Sequence, residues 1–211
     1  MQVASFTFNE FQENTYILFD DTKQCAIIDP GCYKASEQKQ LTEFIESNHL
    51  TPILLINTHC HIDHVLGNSF VANKYNLALH LHQQELQTYE DTGRWAQFFG
   101  VVTDDIPNKQ VYITEGDTLQ FGNTKLDVLF TPGHSVASLS FFHEASKQLI
   151  SGDVLFYESI GRTDLPNGDF NTLTNSIRTK LFTLPDDTKV YSGHGPVTSI
   201  GHEKTHNPFL Q

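Results

Sequence analysis

The sequence predicts an α+β chain. Three observations lead there. Short apolar or alternating runs recur along the chain, bounded by Gly, Pro, Asn and Asp, as strands are. Two longer stretches space their apolar residues close to a helical period: Leu41, Phe44, Ile45 and Leu50, then Leu173, Ile177, Leu181 and Leu184. Several strand-like runs end in tight turns followed at once by histidine or aspartate.

Taken in order, residues 3–8 alternate apolar and polar, the pattern of a half-exposed strand. Residues 15–19 and 25–28 read as two more strands, joined by the turn Asp20-Asp21-Thr22-Lys23. Asp29-Pro30-Gly31 ends the third strand, and Asp29 is either a turn residue or an acceptor behind a ligand histidine. An amphipathic helix over 36–48 leads to the buried strand Ile53-Leu54-Leu55-Ile56. Residues 67–75 read as a short helix and 77–82 as a strand. His80 and His82 have neither a neighbouring Asp nor a Gly-rich turn, so they read as packed or surface histidines. Residues 88–109 are expected to be a helix and loop over the core, or a lid whose Trp95, Phe98 and Phe99 line a pocket. A second run of strands falls at 111–113, 118–121, 125–130, 139–142 and 148–150, with a hairpin turn at Gly122-Asn123. A helix over 172–184 stops at Pro185, and 189–191 is a last strand.

The stretch His59-Cys60-His61-Ile62-Asp63-His64 follows the buried strand and reads H-x-H-x-D-H. In extended chain, residues two apart point the same way, so His59 and His61 can share one metal. Asp63 and His64 lie where the chain bends towards a helix and suit a second metal close by. The same grammar of strand, tight turn and donor recurs at His134, Asp153 and His194. Together the segments supply five histidines and two aspartates, enough for two metal ions with one carboxylate shared. Imidazole and carboxylate without thiolate favour zinc, with iron or manganese as alternatives. Cys60 reads as a small packed residue behind the donors.

The chain has 211 residues, suited to a single domain over 1–211. Its formal net charge of −12, without a local basic patch, argues against a nucleic-acid partner. No apolar run approaches a membrane span. The start lacks the basic and apolar regions of a signal peptide, and three cysteines without framework spacing fit a reducing compartment, so a cytoplasmic location is expected.

The pattern H-x-H-x-D-H followed by His134, Asp153 and His194 resembles the metallo-β-lactamase fold superfamily, and within it the glyoxalase II-like (hydroxyacylglutathione hydrolase-like) enzymes. Ser159-Ile160-Gly161-Arg162-Thr163-Asp164-Leu165-Pro166 and the ending with Thr198, Ile200, Gly201, Glu203, Lys204, Asn207 and Pro208 add to the resemblance, which spans essentially the whole chain. It implies a four-layer αβ/βα sandwich of two mixed sheets with helices on the outer faces. It also implies a partition of the donors. His59, His61 and His134 would bind one metal, Asp63, His64 and His194 the other, and Asp153 would bridge them. Asp63 would also orient the attacking water, which makes it the catalytic residue. The substrate would be a small-molecule thioester such as S-lactoylglutathione. Arg162 matches the place of a basic residue that touches glutathione, and is expected either to contact a substrate anion or to form a salt bridge with Asp164 or Asp169. Full-length glyoxalase II enzymes carry an additional C-terminal helical region, so this chain resembles the shorter members. Persulfide dioxygenases, which use one iron, resemble it too, and there His59, His134 and Asp153 would be the ligands.

Overall fold

The computed structural model describes all 211 residues, which form two compact units. One comprises residues 1–113 with 120–124, the other residues 114–119 with 125–211.

The first unit holds one six-stranded mixed sheet in sequence order: β1 (Gln2–Phe8), β2 (Glu13–Phe19), β3 (Gln24–Ile28), β4 (Thr51–Ile56), β5 (Leu79–Leu81) and β6 (Gln110–Tyr112). β1, β2 and β3 are antiparallel, and β3 to β6 are parallel. Parallel neighbours need crossover connections. These carry the helices α1 (Ala35–Ser47), α2 (Ile62–Val65), α3 (Asn68–Tyr75) and α4 (Leu86–Phe99). α1 turns Leu41 and Ile45 into a core with Ile17, Ile27, Leu55 and Leu79. The register sets Ile28 beside Ile56, so β3 and β4 end together. β5 reaches the same level, with His80 beside Ile56.

The second sheet is built from β7 (Thr118–Phe121), β8 (Thr124–Phe130), β9 (Leu139–His143) and β10 (Gln148–Gly152). After the ribbon of β11 (Leu155–Phe156) and β12 (Ser159–Ile160) and the helix α5 (Phe170–Thr179), it adds β13 (Lys189–Ser192) and β14 (Thr198–Ser199). Its order is β14-β13-β10-β9-β8-β7, and β10 and β13 are parallel. α5 and the terminal α6 (Ile200–His206) bury Leu173, Ile177 and Ile200 against Leu149 and Val190.

The expected helix over 172–184 is shorter at its end and longer at its start. The Asp169 carboxylate accepts the Thr172 N–H (2.6 Å) and starts α5 early. At Lys180 φ falls to −113°, and the apolar spacing continues through a 3₁₀ turn at Leu181–Thr183 that still buries Leu181. α6, β14 and the β11–β12 ribbon were not expected, because elements of two to seven residues carry too little periodicity to read.

The expected turn at Gly122-Asn123 is present and tied down. Asp20 accepts the N–H of Asn123 (2.8 Å), the hydroxyl of Thr124 (2.9 Å) and the N–H of Thr22 (2.9 Å). Gln24 accepts the Gly122 N–H (2.8 Å). Partial desolvation pushes the Asp20 carboxyl up, but the hydrogen bonds from Thr22, Asn123 and Thr124 outweigh it and hold the pKa at about 2. A depressed pKa contributes stability that is present above the ordinary value of 3.8 and is lost as pH falls through about 2. Wild-type and Asp20→Asn melting curves should therefore differ at pH 5 and converge towards pH 2. A gap that stays constant over that range would contradict the tether.

Candidate metal centre

In the first unit the donor loop leaves the end of β4 and is gripped by the end of β3. The Asp29 N–H donates to the Ile56 carbonyl (2.9 Å), and Asp29 takes φ of 48°, a left-handed value that Asp tolerates better than most residues. This turn brings its carboxylate under the loop. Oδ1 accepts the Thr58 N–H (2.7 Å) and the Asn57 side-chain amide (3.2 Å). Oδ2 accepts the Thr58 hydroxyl (2.6 Å) and the His64 Nδ1–H (3.1 Å). Having donated to Asp29, the Thr58 hydroxyl accepts from His59 Nδ1 (3.0 Å). Asp29 therefore makes the turn, accepts from His64 directly and, through the Thr58 hydroxyl, stands behind His59. With Nδ1 engaged, Nε2 is the nitrogen each ring has left to offer a metal.

His61 is extended, with φ −66° and ψ 153°, and it precedes α2. The first turn of α2 then swings Asp63 and His64 round. The His59 ring centroid lies 4.7 Å from that of His61 and 4.2 Å from that of His64. Asp63 Oδ2 is 3.6 Å from His64 Nε2. The four donors read from the first motif are thus brought together.

Two further acids lie beneath this loop, and the sequence reading missed both. Glu13 is fully buried and accepts the Thr15 hydroxyl (2.9 Å); burial drives its carboxyl well above the ordinary range, against the opposing pull of His64. Glu85, also fully buried, accepts the Cys60 N–H (3.0 Å). Cys60 is buried as expected, and burial first, then the charges of Glu85 and Asp29, push its thiol well above the usual value. That fits a packed thiol. His80 and His82 also match expectation: His80 Nδ1 bonds the Leu55 carbonyl (3.1 Å), and His82 accepts the Gln84 N–H (3.2 Å).

In the second unit the remaining three donors converge. β8 runs into His134, whose Nδ1–H donates to the Arg162 carbonyl (2.8 Å). Gly133 holds φ of 128°, and a Cβ there would strike the backbone of Leu173 in α5. Asp153 follows β10 and His194 follows β13. Asp153 Oδ2 lies 3.5 Å from His134 Nε2 and 3.4 Å from His194 Nε2. One carboxylate oxygen therefore stands between two imidazoles. A Cβ at Gly161 would collide with the Asp153 carbonyl, so only glycine lets the 159–162 segment pass this close.

Arg162 takes the salt-bridge alternative. Its guanidinium forks onto both oxygens of Asp164 (2.7 Å each) at an exposed position, and this pairing holds Asp164 at about 2. The aromatics of α4 divide: Tyr89 is buried, whereas Trp95, Phe98 and Phe99 stay exposed, with Phe99 edge-on to Phe11 (5.1 Å).

The donor chemistry fits a hard or borderline divalent cation. Each unit presents imidazoles held from behind at Nδ1, with a carboxylate oxygen close to Nε2 and no thiolate among the donors.

The profile of the metallo-β-lactamase superfamily matches residues 8–194, and the chain belongs to that superfamily. It is 40% identical to a probable metallo-hydrolase, YqgX, of Bacillus subtilis over 94% of this chain and 92% of that one. It is 36% identical to the hydroxyacylglutathione hydrolase GloC of Haemophilus influenzae over 100% and 98% of the two chains. Among solved structures it is similar to the B3 metallo-β-lactamase BLEG-1, with TM-score 0.90, 36% identity and full coverage of both chains. It is also similar to TTHA1623 in a di-iron-bound form, with TM-score 0.88, 34% identity and coverage of 99% and 100%. ETHE1 from Myxococcus xanthus matches with TM-score 0.79, 28% identity and coverage of 99% and 84%. These matches, with two mixed sheets flanked by helices, bear out the expected α+β fold class. No helix is long and apolar enough to cross a membrane.

Proposed function

We propose that residues 1–211 act as one catalytic domain that holds two divalent metal ions and hydrolyses a thioester such as S-lactoylglutathione. In this reading His59, His61 and His134 hold one ion, and Asp63, His64 and His194 the other. Asp153 would be the carboxylate they share, and the observation that carries the reading is its single oxygen set between His134 Nε2 and His194 Nε2. The relationship to GloC supports the thioester class. Zinc is the first choice; the di-iron form of TTHA1623 keeps iron in play, and the donors accept manganese as well. A metal pair held there would supply a water of lowered pKa as nucleophile near neutral pH and a Lewis acid for the substrate carbonyl. The chain's own part is to orient. Asp29 and Thr58 fix the imidazoles, and Asp63 would both bind a metal and orient the water. A leaving thiolate has a pKa of roughly 8–9, so it departs without a dedicated acid. Arg162, exposed and shared with Asp164, is the proposed contact for a carboxylate of the thiol half.

The second reading is a mononuclear iron persulfide dioxygenase on His59, His134 and Asp153, which are a subset of the same donors. Anaerobic assay of zinc-loaded protein with S-lactoylglutathione separates the two. Loss of thioester absorbance without oxygen supports the hydrolase. No loss, together with oxygen consumption by iron-loaded protein given glutathione persulfide, would replace it.

A further inference from the structure

We propose that Glu85 is a positioning residue for the His59-Cys60-His61 loop, acting through the peptide between the first two of these residues. The inference rests on the reading of His59 and His61 as metal ligands. β5 runs parallel to β4, and the Asn57 N–H donates to the His80 carbonyl (2.9 Å), so the two strands finish side by side. The chain then turns through a 3₁₀ turn, Gln83–Glu85, capped by His82, whose side chain accepts the Gln84 N–H, and closed by the Glu85 N–H on the His82 carbonyl (3.0 Å). This turn aims Glu85 inward, where it has no exposed surface and its Oε2 accepts the Cys60 N–H (3.0 Å).

That N–H lies in the peptide plane joining His59 to Cys60. Peptide planes are rigid, so holding one fixes the direction in which both flanking Cα atoms carry their substituents. Loop residues between a strand and a helix otherwise retain two soft dihedrals each. The loop is gripped from both neighbouring strands: Asp29 beyond β3 takes the Thr58 N–H, and Glu85 beyond β5 takes the Cys60 N–H. Burying a polar carboxyl group is costly unless it is hydrogen-bonded, a cost that an apolar residue would avoid. A position that served packing alone would not call for an acid.

The test uses the full chain and the metal alone. Cobalt titration, competed with a chelator, reads affinity, and the visible cobalt spectrum reads ligand geometry. Glu85→Ala should weaken binding by about 10–100-fold, the usual cost of losing an outer partner, and shift the spectrum. Glu85→Gln keeps an oxygen acceptor at the same reach and should restore both. A wild-type affinity and spectrum in Glu85→Ala would overturn the proposal, as would a Glu85→Gln protein that is folded but as weak as Glu85→Ala. A measurement free of variants and of metal covers the case in which Glu85→Ala does not fold. In metal-free, ¹⁵N-labelled wild type the Cys60 amide should exchange as slowly as the core strands. Rapid exchange there would overturn the grip, whatever substrate the enzyme takes.

Discussion

Asp63→Ala is expected to lower kcat/KM for a thioester by at least about 100–1,000-fold, the scale of removing one group that stabilises a reacting centre. It should also cut bound metal from about two equivalents to about one, since a two-metal clamp needs ligands for both ions. The reason lies in the first turn of α2. His64 is buried and held at Nδ1 by Asp29, whereas Asp63 brings a carboxylate to its Nε2 (3.6 Å). Without Asp63, in the two-metal reading, the second ion would keep only two imidazoles and the shared Asp153 carboxylate. Metal analysis after dialysis and steady-state hydrolysis check both halves. The dioxygenase reading makes the opposite prediction, because Asp63 is not among its ligands. A variant with one metal and undiminished turnover would remove the two-metal mechanism.

The second large effect is expected at Asp29. Its carboxylate accepts from the Thr58 N–H, the Thr58 hydroxyl, the Asn57 amide and His64 Nδ1, all buried. Alanine would strand these donors and place a residue that disfavours φ of 48° at the turn. Breaking such a buried charged contact costs about 3–5 kcal/mol. Asparagine tolerates the backbone and still accepts hydrogen bonds, but it loses the charge that steadies the imidazoles. Asp29→Asn should therefore fold with metal affinity down by about 10–100-fold, while Asp29→Ala should also unfold at markedly lower denaturant. Equal denaturation midpoints for Asp29→Ala and wild type would show that the hub carries no stability.

The seven residues proposed as donors stood out in the sequence because each follows a strand end, where a tight turn meets a residue type that is costly to bury without a partner. Their supports were legible only in part: Asp29 reads as a turn residue or as an acceptor behind a histidine, and Glu85 does not stand out at all. Asp29 sits in a Pro-Gly turn that explains it well enough on its own. Only the parallel pairing of Ile28 with Ile56 reveals what it reaches, and pairing is a long-range property. Glu85 lies 25 residues beyond its partner Cys60, between the strand expected at 77–82 and the helix and loop expected from 88. Arg162 was legible as two alternatives, and the nearby Asp164 favours the salt bridge. Helix α5 was found by its apolar spacing, but where it ends was not, since a 3₁₀ turn can carry the same spacing past the break.

The tip of the β7–β8 hairpin has a consequence for the order of events during synthesis. Residues 120–124 belong to the first unit, though the chain has by then already entered the second. The bonds from Asn123 and Thr124 to Asp20 span 103 and 104 residues. A ribosome extends a chain at about 5–20 residues per second, and the amino-terminal part generally folds first. Here the amino-terminal unit remains unfinished until the nascent chain has grown past Thr124. A fragment cut at residue 113 would leave Asp20 and Gln24 without the groups they bind at this turn. The first unit is therefore completed by what comes after it, and a stalled or truncated product would lack the long-range hydrogen bonds that tether the β2–β3 turn.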